Sequence, residues 1–192
     1  MRDDKVARSP NGNICVIYRG RKVQVRTQRR VKPRKSTLDA IGWAPKSLIK
    51  ARVGHLASST RNGKPLVVPI CFAYRGNTIY SAVDQKPKRR RPLALRRVLN
   101  IVENPNVCLV VDDYDEDWSK LNYVIVQGTA TLLNRGREHR TALFLLRRKY
   151  RQYRNMKLEN RPIIKIKPIR TIAWRATPSD TQTGTVKPKE YH

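Results

Sequence analysis

The sequence predicts a mainly β protein with α-helices, in which short antiparallel strands form a small barrel and the helices pack outside it. Five or six short apolar runs alternate in the manner of half-buried strands and are separated by turn residues. Two or three other segments place apolar residues at helical spacing. The strand–helix–strand period of roughly 30 residues that builds a Rossmann sheet is not found. With 192 residues, 39% of them hydrophobic, the chain is long enough for one domain with a real core.

The segment before this domain is a basic extension, residues 1–37. The run RGRKVQVRTQRRVKPRK has no acid to pair with its cations, and NICVIY is its one apolar patch. We find neither strand nor helix period in it and predict a mostly disordered or loosely attached extension. The domain is expected over 38–176, with a C-terminal tail over 177–192. An accessory role is favoured for the extension over a specific nucleic-acid-binding arm.

The first elements of the domain are a short helix and a hairpin. STLDAIGWAPKSLIKA predicts a helix that starts at Ser36 or Thr37 and is interrupted by Pro45. ARVGHLASS and LVVPICFAY then flank Asn62-Gly63, which is a strong hairpin signal. Pro69 lacks a backbone N–H and therefore places the second of these strands at an edge or a bulge.

The later segments predict a strand, a helix, two strands, a helix and a strand. In order they are TIYSAV, PLALRRVLNIVEN, VCLVVDDY, LNYVIVQGTATLL, RGREHRTALFLLRRKYRQY and RPIIKIKPIRTIAWRA. The first of them follows the hairpin closely, so we expect three consecutive antiparallel strands. Pro92 suits the first turn of the helix predicted for PLALRRVLNIVEN. In the later helix Ala142, Leu145 and Leu146 share one face and cations occupy the rest.

The net charge limits the class of partner. Lys and Arg number 42 against 14 Asp and Glu, which gives +28, and the pI is near 11.0. Such an excess indicates nucleic acid, an anionic surface or anionic small molecules as partners, without choosing among them. No apolar run reaches the roughly 18 residues of a membrane span, and RDDKVARSP lacks a signal-peptide core. We therefore expect a cytoplasmic protein with no membrane partner, and Cys15, Cys71 and Cys108 are expected to be reduced.

The stretch SAVDQKPKRRRP places cations directly after an apolar strand. A strand ending at Ala82-Val83 and followed by Lys86, Lys88 and Arg89 can hold a phosphate, because flexible cations form charge-assisted bonds to its oxygens. A solvated basic loop before a helix explains the same residues. Taken alone, the stretch leaves both readings open.

The other candidate motifs indicate no metal and no catalytic acid or base. The three histidines lack ligand spacing, and no Ser-His-Asp set, GxGxxG or Walker loop occurs. DDYDEDW imitates the opening of a calcium loop, but Trp118 stands where glycine is required and Val124 where a bidentate Glu belongs. We expect these acids to pair with nearby Lys and Arg instead.

The order of several motifs resembles a known family. ARVGHLASSTRNGKPLVVPICFAY, TIYSAVDQKPKR, LNIVENPNVCLVVDDYDEDW and YVIVQGTATLL together resemble the pyridoxamine 5'-phosphate oxidase-like, flavin-binding split β-barrels. More narrowly, the chain is similar to the branch that uses the deazaflavin coenzyme F420. The resemblance runs from about Ala51 to Ala176.

This resemblance implies a homodimer of split β-barrels with the cofactor in a groove at the subunit interface. It places Val67, Val68 and Pro69 along the ring, and Ser81, Ala82, Lys86, Lys88 and Arg89 at the phosphate and ribityl chain. It places Gln127 and Gly128 on a strand that lines the groove, with Trp118 and Trp174 as candidates to close it, in part from the second subunit.

The implied activity is hydride transfer between the deazaflavin and an unidentified small organic substrate, for which the cofactor supplies the reactivity. FMN is the alternative cofactor, and some relatives of this fold bind haem. Two hypotheses of another class remain: a nucleic-acid-binding protein that uses its basic extension, which is not favoured, and a module that binds a cofactor without turnover. The substrate is not indicated.

Overall fold

A computed structural model describes the backbone of residues 6–8, 14–18, 21–24, 38, 41–84, 95–176 and 189–191, and side chains in 38, 41–84 and 95–176. The chain divides into two compact units, Met1–Arg34 and Lys35–His192. The first contains three short antiparallel strands, β1 (Val6–Arg8), β2 (Ile14–Tyr18) and β3 (Arg21–Gln24), in the order β1-β2-β3. No strand is predicted here from the sequence, although β2 coincides with NICVIY, the one apolar patch of the extension. An accessory or nucleic-acid role for residues 1–37 stays a prediction.

The second unit is built on one antiparallel sheet in the order β5-β4-β8-β9-β10-β7-β6, with β11 (Lys189–Tyr191) paired to β10. The strands of this order are β4 (Gly54–Ser59), β5 (Pro65–Ile70), β6 (Ala73–Tyr74), β7 (Ile79–Ala82), β8 (Asn106–Asp113), β9 (Asn122–Leu133) and β10 (Ile163–Arg175). Only Cys71 and Phe72 separate β5 from β6, although these strands lie at opposite ends of the order. The sheet must therefore curl until its ends approach each other, which confirms the predicted split β-barrel.

The hairpin signal is confirmed, and one strand pairing differs from expectation. Gly63 adopts a φ of +78° in the turn between β4 and β5, and Pro69 lies on an edge strand, the position in a sheet that tolerates a residue without an N–H. The predicted second strand LVVPICFAY is broken at Cys71 and Phe72 into β5 and β6, because the chain crosses there from one end of the sheet to the other. β7 therefore pairs with β6 and not with β5, and its other partner is β10.

The described residues contain three α-helices, α1 (Ala44–Lys50), α2 (Arg96–Glu103) and α3 (Arg137–Lys149). The prediction that Pro45 interrupts α1 was wrong: Pro45 lies in the first turn, where the missing N–H has no intrahelical partner to lose. Pro92, predicted in the first turn of α2, lies outside the described residues. None of the described helices has the length and apolar character needed to cross a bilayer.

The core consists of two apolar clusters. The larger fills the inside of the curled sheet beneath α1 and α2 and includes Leu48, Leu56, Leu109, Val126 and Ile166. The smaller joins α3 and the 3₁₀ turn Arg151–Arg154 to β7. Because the inner side chains of β4, β8 and β9 are buried in the larger cluster, the alternate residues of these strands face outward.

Candidate functional site

The outward side chains of five neighbouring strands form a continuous surface, which we call the outer face. The strand register aligns Val67 with Ala57, Ala57 with Cys108, Cys108 with Gln127, and Gln127 with Arg170. Val67 is 59% exposed, and Gln127 is exposed as well. The register therefore brings side chains from β5 and β9, sixty positions apart in sequence, into one row.

A second row of the outer face lies beside the first and is more apolar. It runs from Pro69 through His55, Val110 and Ile125 to Ile172. The three aliphatic side chains of this row are only partly buried in a single chain, and Pro69 is exposed. The two rows together present a mostly apolar surface that also carries Gln127, His55 and Arg170. Gln127 is a neutral polar group that can both donate and accept a hydrogen bond.

The third row carries the aromatic residues of the outer face. Asp112 is aligned with Tyr123, and Tyr123 with Trp174. The ring centroids of Tyr123 and Trp174 lie 5.7 Å apart with the planes tilted by 33°, which is the usual separation of a packed aromatic pair. Trp174 is thus held by a neighbour on its own chain.

The outer face ends at an open cleft of about 790 Å³, which we call the end cleft. It is bounded by α1, by the start of β4, by the ends of β8 and β10, and by the 3₁₀ turn Trp118–Lys120. His55 and Asp112 belong to both the outer face and the end cleft, so the two surfaces are continuous. The charged side chains of the cleft are Lys46, Lys50, Arg52, Asp112, Asp113, Lys120 and Arg175.

Three acids of DDYDEDW are paired with lysines, as the sequence predicts for this segment: Asp113, which lines the end cleft, and Asp115 and Asp117 beside it. Lys50 Nζ lies 3.8 Å from Asp113 Oδ2, and Lys120 Nζ lies 3.2 Å from Asp117 Oδ2 and 3.8 Å from Asp115 Oδ1. Hydrogen bonds from Ser119, together with Lys120, lower the pKa of Asp117.

Three cations of the end cleft face no carboxylate in the part of the chain that the structure describes. They are Lys46, Arg52 and Arg175. Arg52 donates to the carbonyl oxygen of Lys149, and Arg175 lies 5.8 Å from the ring centroid of Trp43. The cleft therefore keeps a positive excess that suits an anionic group.

The predicted ring-binding residues divide between the two sides of the sheet. Val67 and Pro69 lie on the outer face, whereas Val68 is aligned with Leu56 on the inner side and packs against the larger core cluster. Trp118 opens the 3₁₀ turn beside the end cleft and is 68% exposed. Trp174 lies in the third row of the outer face.

The predicted phosphate-binding residues are in part buried and in part undescribed. Ser81 is 2% exposed and Ala82 4%, because β7 lies between β6 and β10 with a core cluster on each side. Lys86, Lys88 and Arg89 lie outside the described residues. The assignment of these five residues to a phosphate stays a prediction.

Gly128 is explained by packing between two strands. A Cβ at this position would meet the carbonyl oxygen of Lys167, and it would lie 3.2 Å from Cγ2 of Ile166. The register between β9 and β10 shifts at this point, between Pro168 and Arg170. The close approach of the two backbones therefore requires glycine here.

A buried polar group at the end of β7 was not singled out from the sequence. Asp84 is 7% exposed and accepts a hydrogen bond of 3.2 Å from the hydroxyl of Tyr153. Burial lowers the pKa of Arg97 on α2, and the charge of Asp84 opposes this shift. The one signal for this group in the sequence is that Asp84 comes just before a run of basic residues. This group anchors the strand end from which the predicted phosphate-binding loop departs.

The remaining titratable groups that the structure describes are not grouped as metal ligands. Among the described residues no three His, Cys, Asp or Glu side chains lie close enough to hold a metal ion. His139 is buried on α3 and shares a hydrogen bond of 2.8 Å with the carbonyl oxygen of Arg161. His55 is half exposed and lies 4.0 Å from Asp112.

Comparison with solved structures shows the same fold at low identity. A conserved hypothetical protein from Mycobacterium tuberculosis is 16% identical with a TM-score of 0.60, and the match covers 76% of this chain and 90% of that one. The haem-storage protein HutZ from Vibrio cholerae is 12% identical with a TM-score of 0.55, covering 72% and 94%. An FAD-binding protein from Mesorhizobium loti is 23% identical with a TM-score of 0.53, covering 69% and 91%.

Comparison of the sequence with curated proteins found no match. The family model described as pyridoxamine 5'-phosphate oxidase matches residues 46–178. This range takes in α1 from its third residue, the whole order from β4 to β10 and all of the outer face. More than half of the chain is matched, and the curled antiparallel sheet agrees with the match, so the chain belongs to the pyridoxamine 5'-phosphate oxidase family.

Proposed function

We propose that the protein is a homodimeric oxidoreductase that binds a flavin-type cofactor, with coenzyme F420 preferred, and reduces or oxidises a small organic substrate. The observation that carries the proposal is the outer face: its side chains are mostly apolar and partly exposed, and they include one amide, Gln127, between Cys108 and Arg170. Binding sites for planar cofactors combine such apolar walls with a few placed polar groups. When bound, the cofactor supplies the hydride-transfer chemistry.

The residues of the outer face fit the ring of such a cofactor. Val67 and Pro69 offer exposed apolar surface on the edge strand, and Gln127 can bond to the polar edge of the ring. The protein would bind and orient the ring and keep water from one of its faces. No acid or base of this chain is assigned a catalytic role.

The same surface supports a dimer. Val67, Ile125 and Ile172 belong to one contiguous face of five strands, and large contiguous apolar patches mark interaction sites. A second copy packed against this face would cover the apolar rows and enclose the cofactor between subunits. Such an arrangement satisfies the two-fold symmetry that most homo-oligomers adopt.

The end cleft favours a deazaflavin over FMN. Coenzyme F420 carries an acidic polyglutamate tail, and Lys46 and Arg175 add positive charge to a cleft that continues from the outer face. FMN lacks such a tail and would leave these two cations without an anionic partner. We therefore keep FMN as the alternative cofactor. The haem-storage and FAD-binding structures of the same fold support the view that this sheet holds more than one class of cofactor.

The test is a titration of the full chain, washed in high salt, with coenzyme F420, FMN and haemin in separate experiments. Fluorescence reports binding of the first two, and absorbance reports haemin. We expect saturable, salt-tolerant binding of coenzyme F420 at about one per subunit, and a dimer by sedimentation equilibrium. The variant Val67→Arg should weaken both cofactor binding and dimerisation. Arg75→Gln, on an exposed turn, is the control and should weaken neither property.

The other outcomes are equally informative. Tighter binding of FMN would keep the site and change the cofactor. Binding of haemin alone would favour a cofactor-binding module without turnover. A monomer that binds none of the three would refute the proposed site.

A further inference from the structure

Helix α3 carries a basic surface that the proposed oxidoreductase site does not use. Arg137, Arg140, Phe144 and Arg148 are all exposed and lie on the side of the helix turned away from the core. We name these four residues the α3 stripe. We propose that the α3 stripe binds single-stranded nucleic acid, a function independent of the cofactor site.

The helical geometry aligns these residues. At about 100° per residue, Arg137, Phe144 and Arg148 fall within a sector of about 40°, with Arg140 at its flank. The buried residues of α3 are His139, Ala142, Leu143 and Leu146, and they fall on the opposite side. The stripe extends over about 17 Å of helix axis, at 1.5 Å per residue. It is therefore a line of cations with an aromatic ring inside it.

The charge of the α3 stripe is not neutralised by the acids nearby. Glu138 accepts bonds from Lys165 at 2.6 Å and from Tyr80 at 2.9 Å, and Glu159 pairs with Arg147 at 2.6 Å. Across the described residues, no carboxylate lies within ion-pair distance of the three arginines of the stripe. From Arg137 to Arg154 the chain holds seven cations and one acid.

Helix stability does not explain this placement. Arg137 and Arg140 lie in the first turn of α3, where the positive end of the helix dipole disfavours cations. Arg148 lies in the last turn, where a cation is favourable, so the dipole accounts for only one of the three. Arg137 and Arg140 are therefore not explained by the helix itself, and their charge is available to a partner that is negatively charged.

Phe144 indicates what kind of polyanion fits. It is 62% exposed in the middle of the stripe, and single-strand binders combine cations for phosphates with aromatic rings on which bases stack. Duplexes keep their bases stacked and offer no free face to such a ring. A membrane surface is less suitable, because an interfacial helix inserts its apolar face in lipid, and the apolar face of α3 is already packed in the core.

The experiment measures fluorescence anisotropy of a labelled oligouridylate of about 15 nucleotides, a length within known single-strand sites, titrated with the full chain over a range of salt. In the variant Arg137→Gln/Arg140→Gln/Arg148→Gln, three phosphate contacts are lost. Each phosphate contact adds about 0.7 to the magnitude of the slope of log affinity against log salt concentration. At roughly 0.1 M salt this corresponds to about a fivefold gain in affinity per contact. We therefore expect affinity to fall about 100-fold and the slope to decrease by about 2.

The control variant is Arg61→Gln/Lys64→Gln/Arg75→Gln, which removes the same charge from exposed turns elsewhere. It should weaken binding severalfold at most. Phe144→Ala should weaken binding about fivefold or more without changing the salt slope, whereas Phe144→Tyr should keep it. Thermal melting of each variant verifies that the fold is intact.

Three results would overturn the proposal. Equal losses in the stripe variant and the control would mean that only total charge matters. A duplex of the same length bound more tightly than the single strand would remove the role given to Phe144. Binding to anionic phospholipid vesicles that requires the stripe, without binding to the oligonucleotide, would assign the surface to a membrane.

Discussion

The hydroxyl of Tyr150 ties together the corner where the two ends of the sheet approach each other. It accepts a hydrogen bond from the backbone N–H of Phe72 at 3.0 Å. It lies 2.8 Å from the carbonyl oxygens of Phe72 and of Arg52, and its one proton can be donated to either of them. Burial raises the pKa of Tyr150 to about 12, so the hydroxyl keeps its proton at neutral pH. We predict that Tyr150→Phe lowers the stability of the domain by more than the loss of the packing contacts of one hydroxyl oxygen.

The magnitude follows from the groups left behind. Phe72 is fully buried and Tyr150 is 3% exposed, so water does not replace the missing hydroxyl. An unsatisfied buried N–H costs about 1–3 kcal/mol, and the lost bond to a carbonyl adds about 0.5–1.5 kcal/mol. The free energy of unfolding should therefore fall by about 2–4 kcal/mol. For a chain of this length that corresponds to a decrease in Tm of roughly 5–15 °C.

The assay is urea unfolding monitored by tryptophan fluorescence and by circular dichroism, with the m-value compared between variants. Tyr114→Phe is the matched control, because Tyr114 is 68% exposed and its substitution should change stability by less than about 0.5 kcal/mol. A Tyr150→Phe variant that unfolds within that same margin of the wild type would show that the corner does not depend on this hydroxyl.

Three further predictions follow from other sites. Gly128→Ala should lower the free energy of unfolding by about 1–3 kcal/mol or more whether or not cofactor is present, because the new Cβ meets the backbone of Lys167; equal melting temperatures would contradict the packing explanation. Gln127→Ala, next to it but exposed, should leave the melting temperature unchanged and weaken cofactor binding; a loss of stability with unchanged binding would exclude it from the site. Burial, reinforced by the charge of Arg52, lowers the pKa of Lys149 from 10.5 to about 8, so between these values the unfolded chain binds a proton that the folded chain has lost. The difference in free energy of unfolding, wild type minus Lys149→Met, should therefore rise with pH from about 8 to 10.5 and stay constant below 8. Urea unfolding over that pH range would measure this difference. A difference that falls across the range would contradict the assigned pKa.

Most secondary structure could be predicted because it depends on local chemistry. The Asn62-Gly63 turn is specified by residues that tolerate a positive φ, and β9 and α3 are long and strongly periodic. The prediction for Pro45 was wrong because a proline can either end a helix or lie in the first turn of one. Only its position relative to Leu48, which anchors α1 in the core, decides between the two.

The candidate site was predictable only in part. Val67 and Gln127 come from separate motifs, and the register of four strand pairs places them in one row with Arg170. Ser81 belongs to a motif of the same resemblance, yet its strand is buried between neighbours. Burial depends on which strands pair, and the β7–β10 pairing joins segments about eighty residues apart.

The sequence by itself determined the order of strands and helices from α1 to β10, the excess of cations, and the resemblance of the motifs to the split β-barrels. These properties follow from side-chain periodicity, turn chemistry and charge, which act over a few residues. Only the tertiary structure decided that the sheet curls through Cys71 and Phe72, that a single hydroxyl holds the corner, and that the outer face continues into the end cleft. These features depend on long-range pairing and burial, which no local pattern encodes.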